Sequence, residues 1–223
     1  MSTVVTFERR DKIMFASPAN IAFKFTTFPK IALAEAIADR AHGGQVRKIL
    51  GTPYVEHPRR VAAKAYSMGF GEDAIAAALL HDVLEDTELT VADLAAAGVS
   101  ARTIRIVGLL TKWWGDDASV EWKNECKPAY YAQIMADADA TAIKLLDRAD
   151  NLRDMALVVG KTRKWCEKYL AKTEREFPPL EACGTKGPIS DYRSGLRCLQ
   201  EALGRERPIN VQTRVDFRPC GRS

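Results

Sequence analysis

The chain has 223 residues, of which 47% are hydrophobic and 28% charged, and its formal net charge is +4. This composition is that of a globular protein and excludes collagen-like, coiled-coil and disordered chains. Five arginines against Glu206 and Asp216 leave +3 in the last twenty residues. The rest of the chain is nearly neutral and lacks the basic stripe that is typical of nucleic-acid binders.

The apolar runs and the cysteines indicate the compartment. No apolar run reaches the roughly 18 residues that a membrane-spanning helix needs. The five cysteines include no Cys-x-x-Cys pair, and their spacing fits neither a zinc knuckle nor a disulfide framework. We therefore expect a soluble protein of the reducing cytoplasm, with neither a nucleic acid nor a membrane as its partner.

The first elements are predicted from turn residues and helical spacing. Residues 1–28 form a lead-in, in which the alternation of Ile21, Phe23 and Phe25 suits a short strand. Pro29 begins a helix that ends at Gly43 and Gly44. A loop over 45–58 follows, then a second helix closed by Gly69 and a third that starts at Gly71.

The remainder of the chain also has helical spacing and shows no alternation of strands with helices. Further helices are predicted over 90–97, 100–113, 118–138, 139–158, 161–176 and 190–203. We therefore expect an all-α fold, with one helical domain over 29–203. Residues 204–223 form a basic tail, in which the alternation of Val211, Thr213, Val215 and Phe217 suits an edge strand.

The third helix carries the most informative residues. Its run from Ala74 is apolar on almost every face, which is typical of a buried helix. It is followed by four titratable groups within six positions, which are His81, Asp82, Glu85 and Asp86. On a continuous helix, positions i and i+4 share a face, so Glu85 is expected over His81 and Asp86 over Asp82. Buried carboxylates beside an imidazole need a cation, which a divalent metal would provide.

Two further residues offer ligands, namely His57 in the loop before the second helix and Asp147 in an apolar segment that abruptly becomes charged. Two imidazoles and two carboxylates suit manganese, iron or zinc. Glu85 or Asp86 could orient or deprotonate a metal-bound water. Each piece alone is more typical of a capped or solvated helix end, and His42 is more typical of a helix terminus or a hydrogen-bond donor. The hypothesis depends on their coincidence.

Three sequence blocks together resemble the HD-domain hydrolases of the RelA/SpoT homologue family, in particular its short single-domain alarmone hydrolases. Each block holds several of the candidate site residues. They span residues 41–48 with 53–58, then 78–87, then 144–153. The resemblance extends from about residue 29 to 176.

The resemblance implies a helical HD fold with a metal site between its helices and one Mn²⁺ per chain. The ligands would be His57, His81, Asp82 and Asp147. Glu85 and Asp86 would activate water, Arg47 and Lys48 would lie near the phosphates and base of the substrate, and Asn151 would contact the nucleotide. The reaction implied is hydrolytic removal of the 3′-pyrophosphate from (p)ppGpp, which leaves GDP or GTP.

Two departures from the family pattern keep other functions open. Asp150 stands where the family usually has histidine or tyrosine, and the loop between Arg47 and His57 is one residue longer. These changes would suit an HD phosphohydrolase for another nucleotide, such as NADPH or a nucleoside phosphate. A third hypothesis is an antitoxin-like protein that neutralises a partner alarmone synthetase by contact. A homo-oligomer is also compatible with the sequence.

Overall fold

The computed structural model describes residues 28–48, 50–115 and 117–204, and the regular structure within these ranges is helical. The predicted all-α class is therefore confirmed. None of the helices in these ranges combines the length and apolar character needed to cross a bilayer. The chain divides into two compact units, of which the first comprises residues 28–45 and 53–112 and the second comprises residues 46–52 and 113–204.

The first unit is built around one buried helix. Its elements are α1 (Pro29–Ala41), α2 (Glu56–Ser67), α3 (Glu72–Leu80), α4 (Val83–Asp86), α5 (Val91–Ala96) and α6 (Ala101–Leu110). Helix α3 contacts α1, α2 and α6, and every residue from Ala74 to Leu80 is buried. A helix that is apolar on every face needs neighbours on every side. The prediction of a buried third helix is confirmed.

The second unit is built around the longest helix. Its elements are α7 (Val120–Met135), α8 (Ala138–Glu176), α9 (Pro178–Cys183) and α10 (Lys186–Ala202). Helix α8 contacts each of the other three. It bears most of the buried residues of this unit, among them Asp147 and Arg148. The position of α8 thus fixes these polar side chains.

Helix α8 is a hairpin of two helical arms. Its backbone leaves helical geometry at Thr162, where φ is −137° and ψ is 35°. Arg148 donates to Thr173 at 3.1 Å across this point, although a straight helix would separate 25 residues by about 37 Å. The two arms therefore lie antiparallel. The sequence predicted two helices here and placed the break at Gly160, two residues too early.

Other predicted boundaries also differ from the structure. Helix α2 begins at Glu56, so His57 lies in its first turn instead of in the preceding loop. Helix α3 ends at Leu80, and the predicted continuation through Asp86 is replaced by a turn and the short α4. Helix α9 was not predicted, because Pro178 and Pro179 were interpreted as a break; proline is in fact well suited to the first turn of a helix.

The predictions for the two ends of the chain lie outside the described residues. They are the strand-like lead-in before Phe28 and the basic tail, which the structure describes only at Gly204. The division into a lead-in, an HD domain over 29–203 and a tail stays a prediction.

Helices α10 and α8 approach closely at a glycine. A Cβ atom added to the buried Gly195 would lie 2.7 Å from the backbone oxygen of Ala149, which is fully buried. Backbone atoms cannot give way as a flexible side-chain end can, so this contact requires glycine. It places α10 directly against the arm of α8 that bears Asp147.

We predict that Gly195→Ala destabilises the protein by about 1–3 kcal/mol, because the helices must move apart. The matched control is Gly108→Ala on the exposed side of α6, where an added Cβ meets nothing within 4 Å. That substitution is expected to stabilise by about 0.5–1 kcal/mol, as alanine loses less backbone entropy in a helix. Urea unfolding of both variants measures the difference. Equal effects would show that the α8–α10 contact can relax.

Candidate metal centre

The turn after α3 presents a histidine with a defined tautomer. His81 follows the last residue of α3 and is buried. Its Nδ1 lies 2.8 Å from the carbonyl oxygen of Ala78. A carbonyl only accepts, so Nδ1 carries the ring hydrogen and Nε2 keeps its lone pair. A hydrogen bond of this kind orients an imidazole for metal binding through the other nitrogen.

A second imidazole and a carboxylate converge on His81. His57, from the first turn of α2, is 1% exposed, and its ring lies edge-on to that of His81 at 5.2 Å. Their ring nitrogens lie within 4.8 Å of each other. Oδ2 of Asp82 lies 3.2 Å from Nε2 of His81 and 3.7 Å from Nε2 of His57. The first unit thus brings three of the four predicted metal ligands together.

The chemistry of these three groups fits a divalent metal. Imidazole nitrogen is a ligand for zinc, iron and other transition metals, and a carboxylate adds negative charge to the site. A carboxylate held among buried rings also benefits from a cation, because desolvation of an ionised group is costly. The His/Asp cluster can therefore hold a divalent metal, and His57, His81 and Asp82 are the residues of the first unit that would bind it.

Tyr54 connects the metal cluster to the acidic end of α4. Its hydroxyl lies 2.8 Å from Oδ2 of Asp82 and 2.7 Å from Oδ2 of Asp86. Burial raises the pKa of Tyr54 well above its ordinary value, and the negative charges of Asp82 and Asp86 raise it further. The phenol therefore stays protonated, and the two carboxylates share its single hydrogen as a donor.

The two acids of α4 have different surroundings. Desolvation by the surrounding protein raises the pKa of Asp86, and the hydrogen bond from Tyr54 opposes this effect. The backbone of Asp86 is also fixed, since its N–H donates to Asp82 at 2.8 Å and its carbonyl accepts from Gln45 at 2.9 Å. Glu85 instead forms an ion pair with Lys112. Of the two predicted contacts along a continuous helix, the structure brings Asp86 to Asp82, whereas Glu85 pairs with Lys112.

The fourth predicted ligand, Asp147, lies in the second unit on the first arm of α8 and is 6% exposed. Nδ2 of Asn151 donates to its Oδ1 at 2.5 Å, and Nζ of Lys144 lies 3.1 Å from its Oδ2. These partners lie three and four positions away, so the helix itself supplies both contacts. Asn151 and Lys144 thus hold the carboxylate of Asp147 in a defined orientation.

The predicted substrate residues also meet in the second unit. Nη2 of Arg47 donates to Oδ1 of Asn151 and to Oδ2 of Asp154, both at 2.7 Å. Lys48 is exposed. The structure therefore brings Arg47 and Asn151 together and leaves Lys48 at the surface beside Arg47.

Sequence reasoning gave no role to Tyr54, Asp154 or Lys112. Tyr54 stands three residues before His57, and Asp154 stands seven after Asp147, where two helical turns return to the same face. That spacing was the available signal for Asp154. His42 had been interpreted as a helix terminus or a hydrogen-bond donor, and the structure confirms this: it caps α1, and its Nδ1 lies 2.9 Å from Gln45.

Known proteins resemble the chain over most of these elements. The profile of the HD domain family matches residues 34–171. A guanosine-3′,5′-bis(diphosphate) 3′-pyrophosphohydrolase of Aquifex aeolicus is 33% identical over 68% of this chain and 21% of the relative. The bifunctional (p)ppGpp synthase/hydrolase SpoT of Escherichia coli K12 is 34% identical over the same shares. A GTP pyrophosphokinase of Streptomyces coelicolor is 32% identical over 80% of this chain and 19% of the relative.

The chain thus spans about a fifth of the length of these curated relatives. A solved structure matches it more completely. That structure is described as a metazoan ortholog of SpoT that hydrolyses ppGpp. It is 26% identical, with a TM-score of 0.64, and the match covers 78% of this chain and 96% of that one.

We predict that Tyr54→Phe weakens binding of a divalent metal about 10- to 100-fold, because the carboxylate of Asp82 loses the donor that orients it. Titration calorimetry with Mn²⁺ as the probe measures the change. Tyr66→Phe is the control, since Tyr66 lies in the same unit and is 38% exposed. Equal affinities in the two variants would show that Tyr54 does not support the ligand set.

Proposed function

Because the chain belongs to the HD-domain family, we propose that it is a hydrolase that removes the 3′-pyrophosphate from (p)ppGpp, leaving GDP or GTP, with one Mn²⁺ per chain as its cofactor. The observation that carries this proposal is the cluster of the buried His57 and His81 with the partly exposed Asp82 at the turn after α3. Relatives and a structural neighbour that are named for ppGpp hydrolysis support the choice of substrate.

The proposed ligands are His57, His81 and Asp82, with Asp147 as the fourth on the strength of the sequence pattern. When bound, the metal lowers the pKa of a coordinated water and so supplies hydroxide at neutral pH. His81 keeps its Nε2 lone pair available because Ala78 holds the hydrogen on Nδ1. Asn151 and Lys144 orient the carboxylate of Asp147.

Asp86 and Glu85 are the two acidic residues proposed to take part in catalysis. The surroundings of each indicate a distinct task. Asp86 accepts a proton from the attacking water, because Tyr54 and Gln45 fix its side chain and backbone. A base must be held in place to work within hydrogen-bond reach of its proton. Glu85 holds the ammonium of Lys112, whose positive charge acts on Asp86.

Arg47, Lys48 and Asn151 are the proposed substrate contacts. A planar guanidinium pairs with phosphate oxygens through two parallel hydrogen bonds, and an exposed ammonium adds a second, flexible charge. A few local cations and a metal suffice for a small substrate rich in phosphate. The near-neutral body of the chain therefore agrees with a guanosine nucleotide as the partner. We place the enzyme in the cytoplasm, either as a homo-oligomer or beside a partner synthetase.

One observation favours a second candidate substrate. Asp150 is 8% exposed and lies on the arm of α8 between Asp147 and Asn151. Asp150 directly precedes Asn151 and stands where the family usually has histidine or tyrosine, so the surroundings of a bound nucleotide would differ from those in the family. The second candidate is therefore an HD phosphohydrolase for a different nucleotide, such as NADPH or a nucleoside phosphate.

We predict that the purified protein with Mn²⁺ converts ppGpp to GDP and pyrophosphate. Anion-exchange chromatography of the products measures both. NADPH, GTP and ATP are assayed under the same metal conditions, and we expect their turnover to be at least tenfold slower. Faster turnover of NADPH than of ppGpp would favour the second candidate, and no turnover of any of them would contradict a hydrolase.

We further predict that Asp82→Ala lowers turnover of ppGpp by 100-fold or more, because the metal loses an anionic ligand and Tyr54 loses an acceptor. Asp93→Ala is the control. Asp93 belongs to the exposed capping box of α5, and its loss costs about 1 kcal/mol of stability with no effect on turnover. Metal content by elemental analysis separates loss of the ion from loss of the fold. Unchanged turnover in Asp82→Ala would contradict the proposed site.

A further inference from the structure

Hydrogen bonds hold both the backbone and the guanidinium of Arg47. Its backbone N–H donates to the carbonyl of Thr52, and its own carbonyl accepts from Gly51, both at 2.8 Å. These two bonds close the turn that carries it. At the far end, Nη2 lies 2.7 Å from Asp154 and 2.7 Å from Asn151 on α8. The guanidinium is thus held in a fixed position.

The pair of Arg47 with Asp154 is largely shielded from solvent. The side chains of Arg47 and Asp154 are 12% and 8% exposed, whereas those of the ion pair Arg163–Glu167 in the same unit are 57% and 40% exposed. Salt and water screen an enclosed pair far less than an exposed one. The bond between Arg47 and Asp154 is therefore a strong, charge-assisted contact.

Arg47 contacts both Asn151 and Asp154, and only Asp154 can balance its charge. Asp147, Asn151 and Asp154 stand at i, i+4 and i+7 and share a face of α8. Asn151 gives its Nδ2 to Asp147, which turns its Oδ1 towards Arg47. Asn151 offers a neutral acceptor, and Asp154 supplies the negative charge that balances the guanidinium.

We propose that Asp154 is a positioning residue, which holds the guanidinium of Arg47 in the orientation that receives the nucleotide. Arginine has many rotamers, and ordering it in advance reduces the entropy lost when a ligand binds. Asp154 acts through Arg47 and needs no contact with the nucleotide. This inference rests on the proposed function, because it takes Arg47 as a substrate contact.

The test is a double-mutant cycle on Asp154→Ala and Arg47→Ala, with steady-state hydrolysis of ppGpp as the assay. Asp154→Ala is expected to raise KM about three- to tenfold, as expected for one disordered side chain, with kcat within about twofold. In the Arg47→Ala background, the same substitution is expected to change KM by less than about twofold, since there is no guanidinium left to orient.

Two further variants control for damage to the fold. Asp191→Ala removes another carboxylate paired with an arginine of α8, since Asp191 accepts from Arg153 at 2.9 Å. It should leave KM unchanged. Asp154→Asn keeps an acceptor oxygen but loses the charge, so its KM should fall between those of the wild type and Asp154→Ala. Asp154→Asn also serves as the test if Asp154→Ala does not fold.

Binding without turnover provides an independent measurement. GDP titrated into the metal-free protein in the presence of a chelator should bind Asp154→Ala about three- to tenfold more weakly than the wild type. Metal affinity, measured separately with Mn²⁺, should be the same in both. This pattern would support a role confined to Arg47.

Four outcomes would contradict the inference or the proposed function on which it rests. A lower KM in Asp154→Ala would mean that Asp154 competes with the nucleotide for Arg47. An equal rise of KM in both backgrounds would mean that Asp154 supports the fold in general. If Arg47→Ala leaves KM unchanged, the substrate role of Arg47 in the proposed function fails first, whereas a rise in Arg47→Ala without one in Asp154→Ala contradicts this inference alone.

Discussion

The burial of two imidazole rings at the end of an apolar helix is the constraint on which the rest of the first unit depends. A helix as apolar as α3 must lie at the centre of its unit, so the residues that follow it are also enclosed. His81 is enclosed in this way, and His57 is placed against it by α2. Enclosed polar groups need partners. The carbonyl of Ala78, the carboxylate of Asp82 and the phenol of Tyr54 provide them.

The burial of polar groups on a largely buried helix also determines the arrangement of the second unit. Helix α8 contacts α7, α9 and α10, and α10 comes near enough to its first arm to require glycine at position 195. Polar side chains on this arm are therefore shielded from water and bond to one another. Asp147, Asn151, Arg47 and Asp154 form a continuous chain of short hydrogen bonds. The rigid helix therefore also fixes the side chain of Arg47, which belongs to a turn far away in sequence.

The two units share a principle that suits a hydrolase of phosphorylated nucleotides. Each places a few charged groups in a low-dielectric setting, where every interaction is stronger than in water. Under the proposed function, a neutral surface elsewhere costs nothing, because the proposed substrate is small and carries its charge on the phosphates. The weak net charge of the chain and the dense local charge of the site are compatible for this reason.

The sequence determined what helical geometry and composition dictate. The all-α class, the buried α3, the two arms of α8 and the candidate ligands followed from periodicity, turn residues and apolar runs that become charged. Contacts of Asp147 with Asn151 and Lys144 also follow from spacing, because a helix fixes neighbours at i+3 and i+4.

Only the tertiary structure decided which distant groups meet. Tyr54 reaches Asp82 across 28 positions, and Arg47 reaches Asp154 across 107. Glu85 pairs with Lys112 because the backbone leaves the helix after Leu80. No residue in the sequence around Leu80 predicts this break. Local propensity acts over a few residues. These contacts arise instead when apolar faces pack and bring polar groups that are distant in sequence into a space from which water is excluded.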